Sequence, residues 1–341
     1  MASAVTKTLQ SETWDGHVLN VAELQRALHE LRPRNPDGSS IALAAVLNLV
    51  AIANGHTATE IDALISTLNH QPSRAIIIER IATGDGIDAH LAARAQLSRP
   101  TGVATRIELL QLQLHGPAVA GAASAVEALI RPDLPVFVLW PGTIAPTDPL
   151  FGAIASRADR LITEVPRADG ADAIHRLSDL VATTRPAVTD LAWAALTPWR
   201  QLINQIITQE HLDGIRDGAT ITIAHSTLQP TVGTLLFAGW LCDSAGTAVG
   251  VDFRSDLSPG DPRVTGIEIS IPRHHTITIQ RVTGRAAAAI TVVEDDGATT
   301  ESVLPLREPT RAELLTGELQ LQRRDLPFER ALSHALRICR A

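Results

Sequence analysis

Lysine, tyrosine and cysteine are nearly absent from this 341-residue chain, and their scarcity excludes several kinds of chemistry. Lys7 is the only lysine, which removes Schiff-base and P-loop lysine chemistry from the body of the protein. Two cysteines, Cys242 and Cys339, cannot form a disulfide framework, and no Cys-x-x-Cys motif occurs. We interpret Cys242 as a core residue, whereas Cys339 near the C-terminus is a candidate exposed thiol.

Long apolar runs and basic runs are also missing. No apolar run approaches the roughly 20 residues that a membrane span requires. The first ten residues lack the apolar core of a signal peptide, so we expect a cytoplasmic protein with no membrane partner. The formal net charge is −8 and the basic residues are not clustered. Nucleic acid is therefore not an expected partner.

The chain is long enough for two domains at roughly 150 residues per domain. We expect the α/β fold class. The predicted layout is a flexible arm over residues 1–19, an N-terminal three-layer α/β domain with a mixed sheet over 20–166, and a C-terminal α+β domain over 171–341 with an antiparallel meander and terminal helices.

Apolar patterns predict the elements of the N-terminal domain. Residues 41–53 are compatible with a helix or a strand, and the Asn-Gly that follows favours a strand. Thr57 and Glu60 form a capping box that opens a helix. In a later strand, the apolar phase changes between Leu109 and Leu110, which predicts a bulge. The remaining predicted elements are helices at 21–31, 117–130 and 153–161 and strands at 75–78, 89–97, 106–114, 136–140 and 161–165.

In the C-terminal domain the apolar period changes from helical to alternating after residue 261. Pro198 either kinks one helix over 190–209 or starts a second helix capped by Thr197. Thr310 with Glu313, and Asp325, are predicted caps of the two last helices. The other predicted elements are helices at 171–183 and 230–242 and strands at 219–224, 267–271, 277–279, 286–293 and 301–306.

Three short motifs resemble catalytic or ligand sites. The loop Gly84–Ala89 fits a loose G-x-G-x-x-A dinucleotide pattern, but the residues after it alternate as a strand does, so we favour a hairpin turn. His225 and Ser226 are adjacent on a strand and point to opposite faces, which argues against a nucleophile–base pair. The pair at 274 and 275 has no nearby acidic or cysteine ligand, so we expect a solvated turn and no metal site.

Tryptophan and arginine are the residue types that most often anchor protein–protein contacts. Trp140 is the last residue of a short apolar strand and is followed by Pro141, so it lies where open α/β sheets place binding surface. Trp193 and Arg200 share one face of a regular helix, and Trp199 lies off it. Each tryptophan has two interpretations, a core residue or an interface anchor.

Six short stretches, in order along the chain, resemble the glucose-6-phosphate dehydrogenase assembly proteins, the OpcA family. They are Asn48-Leu49-Val50; Pro72-Ser73-Arg74 followed by Ile76–Ile78; Leu134-Pro135-Val136 through Trp140-Pro141; Asp148-Pro149-Leu150; Asp190-Leu191-Ala192-Trp193 with Trp199-Arg200; and Ala238-Gly239-Trp240-Leu241. Pro198 stands where the resemblance implies an aromatic residue in a continuous helix.

The resemblance implies a non-enzymatic protein without a cofactor or catalytic residues. It would bind glucose-6-phosphate dehydrogenase as an assembly factor or allosteric activator and so support the oxidative pentose phosphate pathway. The expected contact residues are Arg74, Trp140, Pro141, Trp193, Trp199 and Arg200. The alternative is an enzyme that binds a nucleotide or sugar phosphate through the Gly84–Ala89 loop.

Overall fold

The computed structural model describes most of the residues of the chain. They are 7–31, 46–54, 56–66, 73–97, 104–145, 147–246, 249–257, 263–272 and 275–340. The chain divides into two compact units. Unit 1 comprises Met1–Glu164, Thr184–Ala187 and Leu319–Arg323, and unit 2 comprises Val165–Thr183, Val188–Glu318 and Arg324–Ala341.

A mixed sheet organises unit 1, with strand order β1-β4-β5-β3-β2-β6-β7-β8. Its strands are β1 (Lys7–Val18), β2 (Leu47–Ile52), β3 (Ser73–Ile81), β4 (Ile87–Leu97), β5 (Ala104–His115), β6 (Val136–Pro141), β7 (Arg160–Glu164) and β8 (Ala187–Asp190), whose first residue belongs to unit 1. The helices of unit 1 are α1 (Val21–Glu30), α2 (Ala58–Ser66), α3 (Ala122–Leu129) and α4 (Pro149–Ala155).

The centre of this sheet is parallel and fully buried. Strands β5, β3, β2, β6 and β7 pair in parallel, while β4 pairs antiparallel with β5. Every residue of β2 and β6 is buried. The apolar run of β6, and that of β2 apart from Asn48, therefore reflect burial on both faces, as a central parallel strand requires. The predicted α/β class with a mixed sheet is confirmed, and residues 47–52 form the predicted strand.

The predicted flexible arm is wrong for residues 7–18, which form β1 along the edge of the sheet. This strand pairs antiparallel with β4, and Asp15 stands directly opposite His90. The Asp15 carboxylate lies 2.6 Å from Nδ1 of His90, and the Asp88 carboxylate 2.7 Å from Nδ1 of His17. These partners are some 70 residues away in sequence, so local patterns do not reveal the strand.

Two smaller predictions in unit 1 are also wrong. The bulge between Leu109 and Leu110 is absent, because β5 pairs without a register shift and both residues are buried. The Gly84–Ala89 segment is not a hairpin turn, since β5 lies between β3 and β4 in the sheet. The segment instead crosses the end of β5, where the His115 amide donates to the Gly86 carbonyl.

Unit 2 contains a six-stranded sheet, in the order β10-β9-β11-β12-β13-β14. Its strands are β9 (Thr220–His225), β10 (Gly250–Ser255), β11 (Val264–Ile271), β12 (His275–Arg281), β13 (Ala287–Glu294) and β14 (Thr299–Pro305). Its helices are α5 (Gly170–Thr183), α6 (Leu191–Ala195), α7 (Thr197–Ile206), α8 (Gln209–Arg216), α9 (Val232–Ala245), α10 (Arg311–Glu318) and α11 (Leu326–Ile338).

The predicted antiparallel meander is confirmed over β11 to β14. The isoleucines of β11 and β12 alternate with polar residues and are buried on one face. Strand β10 was not predicted, because it is largely exposed and pairs in parallel with β9 at an edge. Strand β8 and helix α8 were not predicted either, and each is short, with four and eight residues.

Local capping signals identified the start of three helices. Thr57 with Glu60, and Thr310 with Glu313, form the predicted reciprocal hydrogen bonds at the start of α2 and α10. The Asp325 carboxylate accepts from the Phe328 amide at the start of α11. Residues 190–209 contain two helices, α6 and α7, with Pro198 in the first turn of α7, so the two-helix alternative is the one observed.

Candidate functional site

The predicted contact residue Arg74 lies inside unit 1 in a charged triad. Its Nε donates to Glu108 at 2.6 Å, and its Nη1 donates to the Leu129 carbonyl at 2.6 Å. Arg131 approaches the same carboxylate at 3.3 Å. The side chains of Arg74 and Glu108 are 14% and 3% exposed. This cluster ties β3 to β5 and borders a small cavity of about 200 Å³.

Trp140 and Pro141 end β6 and are buried. Trp140 is 1% exposed, and its ring meets Phe151 edge-on with centroids 5.0 Å apart. Its indole Nε1–H has no hydrogen-bond acceptor among the described residues. Within unit 1 these residues pack α4 against the C-terminal end of the parallel strands.

Trp193 is the centre of a polar and aromatic cluster in unit 2. The Arg200 guanidinium lies 3.6 Å above its ring centroid, a cation–π contact. The indole Nε1–H donates to Asp325 at 2.8 Å, and the ring also packs on Phe328. Burial lowers the pKa of Arg200 to about 10, although Asp325 and Glu318 oppose this shift. The cluster ties α6 and α7 to the start of α11.

Trp199 is 3% exposed and packs on Phe237 of α9. The residue predicted to cap α7, Thr197, accepts instead from the Arg200 guanidinium through its hydroxyl at 2.8 Å. The six predicted contact residues thus belong to separate clusters, Arg74, Trp140 and Pro141 in unit 1 and the other three in unit 2. Their direct contact with a partner stays a prediction, and their burial favours the core interpretation.

The Gly84–Ala89 loop does not have the geometry of a dinucleotide site. Strand β4 follows it, so no helix begins where a pyrophosphate would bind. Gly84 and Gly86 have positive φ angles, and a Cβ on Gly86 would lie 2.6 Å from Nε2 of His17 and 2.9 Å from the Val18 carbonyl. Gly86 therefore allows the loop to pack closely against β1, while the atoms nearest to a Cβ on Gly84 belong to His115 of β5.

The side chains of the other candidate motifs make internal contacts. His225 Nδ1 lies 3.1 Å from the Thr227 hydroxyl, while the Ser226 hydroxyl accepts from the Arg263 amide at 3.0 Å. Burial raises the pKa of both Cys242 and Cys339.

Among the described residues, no three His, Cys, Asp or Glu side chains group as a metal site would require. None of the described helices is long and apolar enough to cross a membrane.

An arginine-lined cavity in unit 2 was missed at the sequence level. It encloses about 310 Å³ between α6, α9, α10 and the ends of β11 and β12. Its polar lining includes Arg167, Arg263, Arg281, Arg311 and Glu308, and Trp199 forms part of the apolar wall. The arginines lie far apart in sequence on different elements, so no motif spacing connects them.

The second prominent surface of unit 2 is the sheet face opposite the buried isoleucines, which we call the open sheet face. Helices α8 and α9 contact β11 and β9, where they enclose Ile221 and Ile269 on the buried face. Pairing register places mainly uncharged, half-exposed or exposed side chains on the open face of β11 to β14. They are Glu268, Ser270, Thr276, Thr278, Gln280, Ala289, Thr291, Val293, Thr299, Glu301 and Val303.

The fold and these sites define a two-unit α/β protein whose second unit carries an arginine-lined cavity and a broad open sheet face. The family model described as the glucose-6-phosphate dehydrogenase subunit N-terminal domain matches residues 65–180, and the corresponding C-terminal domain model matches residues 186–332. The chain belongs to the OpcA family of glucose-6-phosphate dehydrogenase assembly proteins. The resemblance found in the sequence is confirmed.

A curated protein of Nostoc punctiforme, provisionally named OxPP cycle protein OpcA, is 27% identical over 179 residues. That match spans 50% of this chain and only 37% of the relative.

Solved structures of oxidoreductases give weak likenesses. An NAD-binding oxidoreductase from Klebsiella pneumoniae is 12% identical with a TM-score of 0.45, covering 87% of this chain and 96% of that one. An oxidoreductase from Bacillus subtilis is 9% identical with a TM-score of 0.43, covering 87% and 96%. Likenesses at this level carry no argument about what the protein does.

Proposed function

We propose that this protein is a non-catalytic cytoplasmic partner of glucose-6-phosphate dehydrogenase that promotes assembly or activation of the enzyme. The observation that carries the proposal is the pair of family matches, which together extend over both units of the chain. The role would raise flux through the oxidative pentose phosphate pathway. The predicted contact residues are engaged in internal contacts: Arg74 in an ion pair, Trp140 in ring packing on Phe151 and Trp193 in a hydrogen bond to Asp325.

The open sheet face is the surface that we propose for docking. Of the eleven outward side chains on β11 to β14, Glu268 and Glu301 are charged, while the six on the two central strands β12 and β13 carry no charge. Val293 and Val303 are exposed there at 37% and 63%. Depletion of charge at the centre of a patch is a feature of protein–protein interfaces.

The edge of this sheet offers a second means of contact. In the described sheet β14 pairs only with β13, and most of its residues are exposed. An exposed edge strand presents backbone donors and acceptors that another chain can pair with. A partner bound over the open sheet face and β14 would leave the buried clusters undisturbed.

Activation of the dehydrogenase would then follow from a difference in affinity for its active and inactive assemblies. A partner that binds the active assembly of the dehydrogenase more tightly than the inactive one shifts the enzyme towards the active form. The coupling is reciprocal, so the active enzyme would bind this protein more tightly as well. No catalytic group of this chain is required.

The test measures dehydrogenase activity of the same organism's enzyme at several ratios of this protein, together with co-elution on a sizing column. A saturable change in rate or substrate affinity with co-elution is expected. Absence of both effects would refute the proposed function.

Surface variants test the docking face. Thr278→Arg and Thr291→Arg place charges on directly paired strands β12 and β13 of the open sheet face, and should weaken binding by about tenfold or more. The matched control is Thr13→Arg, an exposed threonine on β1 of unit 1. Equal binding by all three variants would place the interface elsewhere.

Substitution of a buried residue provides a second test of the proposed docking surface. Arg200→Ala removes the cation over Trp193, so we expect lower thermal stability with binding retained. A folded Arg200→Ala protein that binds normally but no longer activates the enzyme would instead favour a direct role for the predicted residues.

A further inference from the structure

The arginine-lined cavity of unit 2 concentrates positive charge in a protein whose net charge is −8. Four guanidinium groups line it, and among the described residues Glu308 is the only carboxylate in the lining. A neighbouring cavity of about 510 Å³ shares Arg263, Arg281 and Glu308 and adds Arg285 and Arg307. The three shared side chains therefore stand between two basic cavities.

At Arg263 and Arg281, pairing with the described residues leaves some hydrogen-bond donors unsatisfied. Glu308 lies 3.1 Å from Nη2 of Arg281 and 3.4 Å from Nη1 of Arg263, so one carboxylate serves two guanidinium groups. The Nε–H groups of both arginines are buried without a hydrogen-bond acceptor in the described part of the chain. Burial and the proximity of Arg263 lower the pKa of Arg281, whereas Glu308 opposes that shift. An additional anion would relieve both the repulsion and the unpaired donors.

Two helices begin at the cavity. Thr231, Gly233 and Thr234 at the start of α9 line it, as do Thr310 and Arg311 at the start of α10. Helix N-termini carry partial positive charge and favour anions. The backbone dipoles therefore add to the field of the arginines.

The remaining wall is apolar, which distinguishes an organic ligand from a bare ion. It consists of Ala192, Ala195, Leu196, Trp199, Val264 and Leu314, with Pro309 at its edge. The volume of about 310 Å³ lies within the roughly 300–1,000 Å³ of small-molecule sites. Planar guanidinium groups match phosphate oxygens in bidentate geometry.

We propose that this cavity binds a phosphate monoester of a small organic molecule, with the phosphate between Arg263 and Arg281 and the organic part against the Trp199 wall. The site goes beyond the partner role proposed above, and it requires no dehydrogenase. Glu308 acts as an internal competitor that the ligand phosphate displaces from the two arginines.

Isothermal titration of the full chain at low ionic strength tests the site with three probes: glucose 6-phosphate, inorganic phosphate and glucose. The sugar phosphate should bind most tightly, inorganic phosphate more weakly, and glucose not measurably. Because no enzyme is present, this result is independent of whether the partner role holds.

Variants separate a ligand site from an internal ion-pair network. Glu308→Gln removes the competitor and should tighten binding of the sugar phosphate several-fold, whereas Arg281→Gln should weaken it by about tenfold or more. Arg330→Gln is the matched control, since Arg330 pairs with Asp243 outside the cavity. Thermal unfolding establishes whether each variant is folded. If Arg281→Gln does not fold, the binding measured for Glu308→Gln decides between a ligand site and an internal ion-pair network.

The proposal is overturned if neither the wild-type protein nor Glu308→Gln binds glucose 6-phosphate at millimolar concentration. It is also overturned if a folded Arg281→Gln protein binds as the wild type does. The network would then serve only to hold β11 and β12 near the start of α10.

Discussion

Residue identity indicates what a side chain can do, whereas its partner decides what it does. Tryptophan and arginine were read as interface anchors or core residues, and the structure gives each of them an internal partner. Trp193 binds Asp325, which is 132 positions away, and Arg74 binds Glu108, which is 34 away. No local pattern contains that information, so burial of these residues could not be derived from the sequence.

The Arg74–Glu108–Arg131 triad gives the first prediction. Glu108→Gln leaves the buried Arg74 guanidinium without its counter-charge, so we expect the chain to lose about 3 kcal/mol of unfolding free energy. Chemical denaturation followed by circular dichroism measures the loss.

A surface pair of the same unit is the control. Glu127 pairs with Arg157 at 2.7 Å, but both side chains are more than half exposed. Glu127→Gln should change stability by no more than about 0.5 kcal/mol. Equal losses for the two variants would show that the burial of the triad does not determine its contribution.

At the level of elements, local sequence patterns predicted those features that depend on residues close together in the chain. The capping boxes of α2 and α10 and the apolar runs of β2 and β6 were all found from spacing alone. Strands β1, β8 and β10 were not, because each depends on pairing with a distant neighbour. The break between α6 and α7 was one of two alternatives that Pro198 allowed.

The second prediction concerns the α10 cap. Thr310→Ala removes the hydroxyl that accepts from the Glu313 amide at 3.3 Å, and we expect a loss of about 1 kcal/mol of unfolding free energy. Thr316→Ala in the same helix is the control, since its hydroxyl bonds back to the Ala312 carbonyl and caps nothing.

The same cap predicts a pH dependence. Hydrogen bonds from Arg307 and Thr310 lower the pKa of Glu313 from 4.5 to about 2. A depressed carboxyl pKa contributes stability that is complete above pH 4.5 and is lost as the pH falls towards 2. The difference between wild type and Glu313→Gln, measured by denaturation at pH 7, 4.5 and 3, should therefore shrink as the pH falls; a constant difference would contradict the assignment.

For the whole molecule, the sequence predicted the family and the fold class but did not predict the arginine-lined cavity or the open sheet face. Family membership follows from short motifs distributed along the chain, and these motifs can be recognised without knowledge of the fold. The arginine-lined cavity depends on how α6, α9, α10 and the meander enclose space, and the open sheet face depends on which alternate residues the helices leave exposed. Both arise only after the elements are assembled.

Two histidines of unit 2 make the stability of the chain sensitive to pH near neutrality. Burial lowers the pKa of His225, which is 2% exposed, below the usual 6.5, although Asp256 opposes the shift. Burial and the neighbouring His275 lower the pKa of His211 in the same way. The folded state therefore binds fewer protons than the unfolded state just below pH 6.5.

Through these two groups we expect stability to decrease as the pH falls from 7.5 to 5.5, because protons bind preferentially to the unfolded chain. His225→Gln and His211→Gln should each reduce the slope, whereas His29→Gln on the exposed side of α1 should leave it unchanged. Denaturation midpoints at pH 7.5, 6.5 and 5.5 measure the three slopes. If the wild type and the double variant His211→Gln/His225→Gln have equal slopes, other groups control the dependence, and the burial of these two imidazoles does not govern the response of the chain to acid.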